Sequence, residues 1–406
     1  SSMSSVLRTI RAILAPVVAG LVAAGPLASA DSTAWRGPAG DGISPEKNWN
    51  PKAIAAPGAV AWKVNVGKGY SGVGVKGDRL YTLGNSDKED VVVCLAVQDG
   101  KELWRHAYPC GPGSYPGPRA TPILDGPAVF TLSREGDLWC LNAADGKVLW
   151  HRNLCKEFGA KEPGWGLAGT PRIEGDLLIV NAGLTGIALA KKTGEKVWAG
   201  EGGVGGYSAP VPCTLAGKPG LVMFGQKEVY AVQTADGRKL WAFPWETSYD
   251  VNAADPLVAG THVFISSGYG KGCVMLDVAT GTPREVWKHN KMCNHFSSCV
   301  LMDGHIYGID GNAGGGNLRC LELKTGSETW GRNLGFGGLL AADGKLIVLN
   351  EHGKLFVVAA KPGAYEELAA GDTGLGKTCW TAPVLANGRI YCRNDRGDLV
   401  CLDVSK

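Results

Sequence analysis

Asp250, Asn252 and Asp255 fall in one loop of this chain and offer three oxygen-bearing side chains, the donor type that a hard cation such as Ca²⁺ selects. Short polar side chains in a loop also cap turns by accepting backbone N–H groups. Cys293 and His295, one residue apart, make a weak ligand pair with no Cys-x-x-Cys beside it, so no metal site is assigned. Hydrolytic chemistry has less to work with. There is no Gly-x-Ser-x-Gly, and the seven His are spread along the chain, His106, His151 and His289 lying one or two residues after a tryptophan. No catalytic residues are assigned.

The residues suited to recognition are aromatic. Pro122, Pro171, Pro210, Pro256 and Pro383 each follow a small or polar residue and open an apolar run, and the stretches before such runs carry Tyr70, Tyr115, Trp165, Tyr207, Tyr249, Phe296, Phe336 and Trp380. Arg119, Asn252, Asp255, His295 and Arg393 are the polar or charged residues placed nearest to them. Flat rings supply contact area, and a few polar groups fix orientation, which is what a small-molecule or peptide mouth needs. The same rings can instead pack between structural units.

What positions these residues is a repeat. Cys94–Trp104, Cys140–Trp150, Ala188–Trp198, Ala231–Trp241, Met275–Trp287 and Cys320–Trp330 share an apolar run, an Asp-Gly or Thr-Gly and a terminal Trp, the tryptophans 43 to 48 residues apart. Each reads as a hairpin with a tight turn. Five units place Gly four residues before Trp; Gly281 and Trp287 are six apart, an insertion at Thr282–Pro283. Phe356–Leu368 is a fainter copy without Trp, and Cys401–Lys406 ends where its turn belongs. Ala61–Val66 holds Trp62 on a strand with no hairpin before it. If that strand completes the last unit, a ring of eight closes and leaves no open sheet edge.

This motif resembles the tryptophan-docking repeat of the quinoprotein-like (PQQ-like) β-propellers, over nearly all of the chain after residue 60. The resemblance implies an all-β fold, an eight-bladed propeller of four-stranded antiparallel blades closed by pairing the N-terminal strand with the last blade. It also implies that Trp62, Trp104, Trp150, Trp198, Trp241, Trp287 and Trp330 dock between blades and carry structure rather than chemistry. The aromatic set then becomes a rim around one mouth of the channel.

Composition and the N-terminus bound the setting. A net charge of +3 with 19% charged residues gives no nucleic-acid footprint. Arg8 and Arg11 precede an apolar stretch that ends at Ala28-Ser29-Ala30, which reads as a cleaved signal peptide over residues 1–30, too short for a membrane span. No Cys follows the cleavage site, so a lipid anchor is not expected. The mature protein is expected to be periplasmic or secreted and monomeric, with residues 31–60 an N-terminal arm that either lies over the ring or forms a disordered lead, and residues 61–406 the propeller.

Twelve Cys in an exported chain raise the question of disulfides. Cys94, Cys140, Cys320 and Cys401 share one repeat position, which in different blades is too far apart for pairing. A two-residue turn at Arg396-Gly397 would set Cys392 opposite Cys401 and permit one disulfide. Cys110, Cys155, Cys293 and Cys379 fall between units, where they can bridge neighbours or bind metal.

Two functions remain. The preferred one is a noncatalytic binding scaffold for a protein, peptide or glycan, as in the BamB-type branch of the family, with no cofactor. The alternative is a dehydrogenase using pyrroloquinoline quinone and Ca²⁺. Against it, the chain lacks the adjacent Cys pair, the long insertions and the Cys-x-x-Cys-His haem site that the family's enzymes usually carry.

Overall fold

The computed structural model describes residues 30–405. The signal-peptide expectation falls on residues outside this range, apart from Ala30. Among the described residues the strands build eight blades of four antiparallel strands, the seventh extended by a short parallel fifth strand, and a separate two-stranded parallel ribbon pairs Ala160–Lys161 with Gly203–Val204. Blades 1 to 7 follow the chain, covering residues 74–109, 123–153, 172–199, 211–244, 257–289, 300–333 and 337–372. Blade 8 takes three strands from residues 384–403 and its fourth, Val60–Asn65, from the other end of the chain, antiparallel to Asp398–Asp403 with Trp62 opposite Cys401.

Within the repeat, the first apolar residue and the Trp are direct cross-strand partners: Cys94 with Trp104, Ala188 with Trp198, Cys320 with Trp330. The connecting turn is longer than a two-residue hairpin, Ala96 N–H reaching Lys101 O and Gly100 N–H returning to Ala96 O. The extra length serves the neighbouring blade. Trp62 donates its indole N–H to Val97 O at 2.8 Å, Trp104 to Ala143 O at 3.0 Å, Trp150 to Lys191 O at 2.9 Å and Trp198 to Thr234 O at 3.0 Å. Trp287 and Trp330 reach Leu323 O and Lys361 O in the same way. The turn Gly lies beneath the ring. A Cβ at Gly100, Gly146, Gly194, Gly237 or Gly326 would stand 2.4 to 2.8 Å from the six-membered ring of the preceding blade's indole. Trp241 is the exception: it faces the turn lengthened at Thr282–Pro283, its Nε1 has no partner, and nothing lies within 4 Å of a Cβ at Gly281.

Two seams depart from the repeat. Blade 7 has no docking Trp, and the arm supplies the wedge there. Trp49 and Ile54 are buried in the cluster shared by blades 7 and 8, and Asn50 N–H bonds Val404 O. At the seam between blades 8 and 1, Arg393 is fully buried and donates to the carbonyls of Ser71, Leu83 and Gly67. Arg393 therefore does not belong to the mouth; it ties the last blade to the first.

The arm lies along the inner strands of the ring over residues 31–46, the two ends of that stretch held at turns between first and second strands. Ser32 bridges Val75 on the inner strand of blade 1, Thr33 O accepts from Leu124 N–H of blade 2, and Ile43–Ser44 adds a parallel strand inside blade 7. The Gly388 N–H donates to the Glu46 carboxylate in blade 8.

The Cys392–Cys401 disulfide is overturned. The turn holds one residue more than expected, so Asn394 N–H bonds Asp398 O and the register becomes Tyr391 with Cys401 and Cys392 with Val400. A one-residue shift sends the two thiols to opposite faces. Cys392 joins the blade 7–8 core and Cys401 the blade 8–1 core. All twelve Cys are free thiols, Cys110, Cys155, Cys293 and Cys379 included. His151 and His289 are half-buried, stacked on Trp139 and Trp287.

Candidate functional site: an aromatic cup with a plugged floor

Pro122, Pro171, Pro210, Pro256 and Pro383 each stand immediately before the inner strand of a blade, as do the loops carrying the aromatic set. These loops converge on a cavity of about 440 Å³ over the channel, lined by Tyr70, Tyr115, Arg119, Trp165, Tyr207, Asp255, His295, Phe296 and Trp380 from the sequence-derived set. The rings form a nearly continuous girdle. Tyr70 stacks on Trp380 at 5.8 Å, Trp380 meets Phe296 at 5.3 Å, and Phe296 meets His295 at 4.5 Å. His295 meets Tyr269 at 4.9 Å, Tyr269 meets Tyr249 at 5.2 Å, and Tyr249 meets Trp165 at 6.4 Å. Trp165 closes on Tyr207, whose hydroxyl accepts from the Trp165 N–H. Trp380 is held from behind by Glu351, which accepts its indole N–H at 3.3 Å.

Three members of the set lie elsewhere. Phe336 is fully buried behind the wall, edge-on to Phe296 at 4.9 Å; in blade 7 Gly338 and Leu339 line the cavity instead. Asn252 is also fully buried. Its amide donates to Gln226 O at 2.9 Å, and its carbonyl accepts from Thr247 and Ser267 hydroxyls at 2.7 Å, so it braces the loop. Arg393 sits in the seam already described. Tyr249 does not line the cavity but stands on its rim, 70% exposed.

Tyr115, Tyr249 and Tyr269 hold their exposed rings from left-handed backbone, with φ of 52°, 61° and 56°. Such a conformation costs a bulky residue roughly 1–3 kcal/mol and persists where the surroundings enforce it, most often at working sites. Tyr269 and Asn312 escaped the sequence reading because they come from hairpin turns between second and third strands, which share the face of the inner-strand loops; Asn312 accepts the Tyr269 N–H at 2.9 Å.

The floor was missed as well. Trp35 and Arg36 of the arm close the channel under the cup. Trp35 donates its indole N–H to Asp255 Oδ2 at 2.7 Å, the other Asp255 oxygen accepts from Ala209 N–H at 2.7 Å, and Arg36 Nε lies 3.7 Å from the same carboxylate. Arg36 also donates to the carbonyls of Ser298 and Cys299. The Trp-Arg-Gly-Pro run was visible in the sequence, but nothing in its spacing tied it to a loop more than two hundred residues away.

Burial sets the electrostatics. It pulls the His295 imidazole down to about 4, so the ring is neutral at ordinary pH. It pushes the Tyr70 hydroxyl up to about 12 and lowers the Arg119 guanidinium to about 10, which leaves Arg119 charged.

These residues do not fit a Ca²⁺-quinone centre. Asp255, among the described residues the only carboxylate lining the cup, has both oxygens occupied by Trp35, Ala209 and Arg36. Among the described residues no group of three or more His, Cys, Asp or Glu side chains is placed to hold a metal ion, and Asp250 and Asn252 do not converge with Asp255.

Fold and repeat together define a quinoprotein-like β-propeller of eight blades. The chain belongs to the family described as outer membrane protein assembly factor BamB, whose model matches residues 52–112 and 88–332. It is 25% identical over 262 residues to the BamB of Moranella endobia, covering 60% of this chain and 64% of that protein. The BamB of Shewanella oneidensis is also 25% identical, over 64% of this chain and 68% of its own length. Among solved structures, BamB from Moraxella catarrhalis superposes with a TM-score of 0.59 at 15% identity, over 84% of this chain and 97% of that one. The quinohemoprotein alcohol dehydrogenase from Comamonas testosteroni gives 0.69 at 14% identity, over 93% and 81%. At such identities the structures share the fold alone. No helix among the described residues is long and apolar enough to cross a membrane.

Proposed function

We propose that this chain is a noncatalytic, extracytoplasmic binding scaffold that engages a protein partner with its aromatic face, in the manner of an assembly factor. The observation that carries this reading is the girdle of touching rings around a cup closed at its floor, with three rim tyrosines held outward from strained backbone. Rigid aromatic side chains give large contact area at little entropic cost and dominate binding hot spots. The family supports the same direction, since its relatives are named as outer membrane protein assembly factors. Export to the periplasm or beyond, and the absence of a lipid anchor, remain part of this proposal.

A photo-crosslinking amino acid at Tyr249, compared with one at Gly344 in a turn of blade 7 outside the cup, tests it. The rim position is expected to form protein adducts in cells, and the Gly344 position is not. Equal labelling from both positions, or dye-linked oxidation of an alcohol by the purified protein with pyrroloquinoline quinone and Ca²⁺, overturns it.

A further inference from the structure

Among the described residues, three charged side chains line the cup: Arg36, Asp255 and Arg119. Arg36 and Asp255 pair with each other across the floor. Among the described residues Arg119 forms no such ion pair. Its guanidinium donates to the carbonyls of Gly117 and Ser114 and lies 5.4 Å over the Tyr70 ring, so its hydrogen bonds are to neutral groups, and among the described residues the carboxylate that acts on it, Asp90, does so from a distance and weakly. A planar guanidinium with spare N–H donors is suited to a carboxylate, and the low polarity around it strengthens the attraction.

Two further groups on the wall are unspent. Ser297 is 5% exposed and its hydroxyl has no partner, and His295 uses Nε2 on the Tyr269 hydroxyl at 3.0 Å while its buried Nδ1 bonds nothing. Buried polar atoms without partners are uncommon, and here both belong to residues that face the same cavity.

We propose that the cup binds one carboxylate carried on a planar aromatic body, with Arg119 as the partner of the anion and the rings of Tyr70, Tyr115 and Trp380 holding the body. Ser297 and His295 are available to a hydroxyl on that ring. This rests on taking the aromatic cup as the recognition site. Two sources share the chemistry: a free aromatic acid, or the C-terminal aromatic residue of a polypeptide.

The test is calorimetry on the full chain with four probes: cinnamate, cinnamamide, acetyl-Gly-Gly-Phe as the free acid, and the same peptide amidated. A charge-assisted contact predicts that an acid binds at least about tenfold more tightly than its own amide. Arg119→Gln is expected to erase that preference, and Arg119→Lys to keep part of it. Tightest binding of cinnamate names the small acid as the source, whereas tightest binding of the peptide acid names a chain terminus. Equal affinity of acid and amide, persistence of the preference in Arg119→Gln with its fold intact, or no binding by any probe overturns the proposal. The crosslinking result is independent: adducts at Tyr249 without acid binding sink only this inference, and acid binding without adducts sinks the protein-scaffold reading instead.

Discussion

The indole of Trp35 and the carboxylate of Asp255 meet at 2.7 Å, joining an arm that precedes the first blade to the loop that opens the fifth. With Arg36 on the same carboxylate, this contact makes the channel a cup.

Asp255→Asn is expected to cost about 3–5 kcal/mol, because it strands the Arg36 cation in a buried site. Trp35→Phe removes one hydrogen bond and should cost about 1–2 kcal/mol. Adding Arg36→Met to Asp255→Asn should recover part of the loss, since no charge is then left alone. Urea unfolding of the three variants checks the order, and protease nicking between residues 32 and 46 should rise in step with it.

Gly237 and Gly281 offer a matched pair. Both have left-handed backbone, with φ of 71° and 81°, but a Cβ at Gly237 would sit 2.4 Å from the Trp198 ring while one at Gly281 meets nothing within 4 Å. Gly281→Ala carries only the backbone cost, about 1 kcal/mol. Gly237→Ala also displaces the docked indole, and should approach the roughly 3–5 kcal/mol of Trp198→Ala. Equal melting temperatures for the two Gly variants would refute the role of the turn as a docking platform.

Stability should fall on acidification in a window set by His295. Its folded value near 4 lies below the ordinary imidazole value, so the unfolded chain takes up the proton first. The neutral ring's contribution is complete above about pH 6.5. It is lost as pH falls towards 4. His295→Gln should flatten that part of the stability profile measured by chemical denaturation.

Thiol titration checks the corrected register. The native protein should react slowly with a thiol reagent, because burial raises the thiols well above their ordinary value, Cys392 and Cys140 among them. Unfolding without reductant should release twelve reactive thiols. A stoichiometry of ten would point to a disulfide after all.

The repeat made the blades, the ring closure and the indole contacts legible, because Gly-to-Trp spacing is a local signal renewed six times. Trp62 showed the closure by being a strand without a hairpin. The site was only partly readable. Nine of the thirteen candidate mouth residues line the cup, but Asn252, Phe336 and Arg393 share the loops and composition of the liners while pointing inward. Which way a loop side chain points depends on backbone conformation, as the left-handed Tyr115 and Tyr249 illustrate. The floor lay furthest from view, since Trp35 meets Asp255 through the path of the arm rather than by any repeat.

Blade 8, built from Val60–Asn65 and Asp398–Asp403, sets the timetable of folding. The Trp62 strand is made early and has no partner within its own half of the chain, so it must wait for nearly the whole sequence before it pairs. Loop closure over such a separation is slow, and until it happens Val60–Asn65 and Asp398–Asp403 keep open edges that invite foreign strands. The strand Asp398–Asp403 therefore acts as a kinetic gate, and a variant truncated just before Asp398 would be left as an unclosed arc whose fate is decided by aggregation rather than by equilibrium stability.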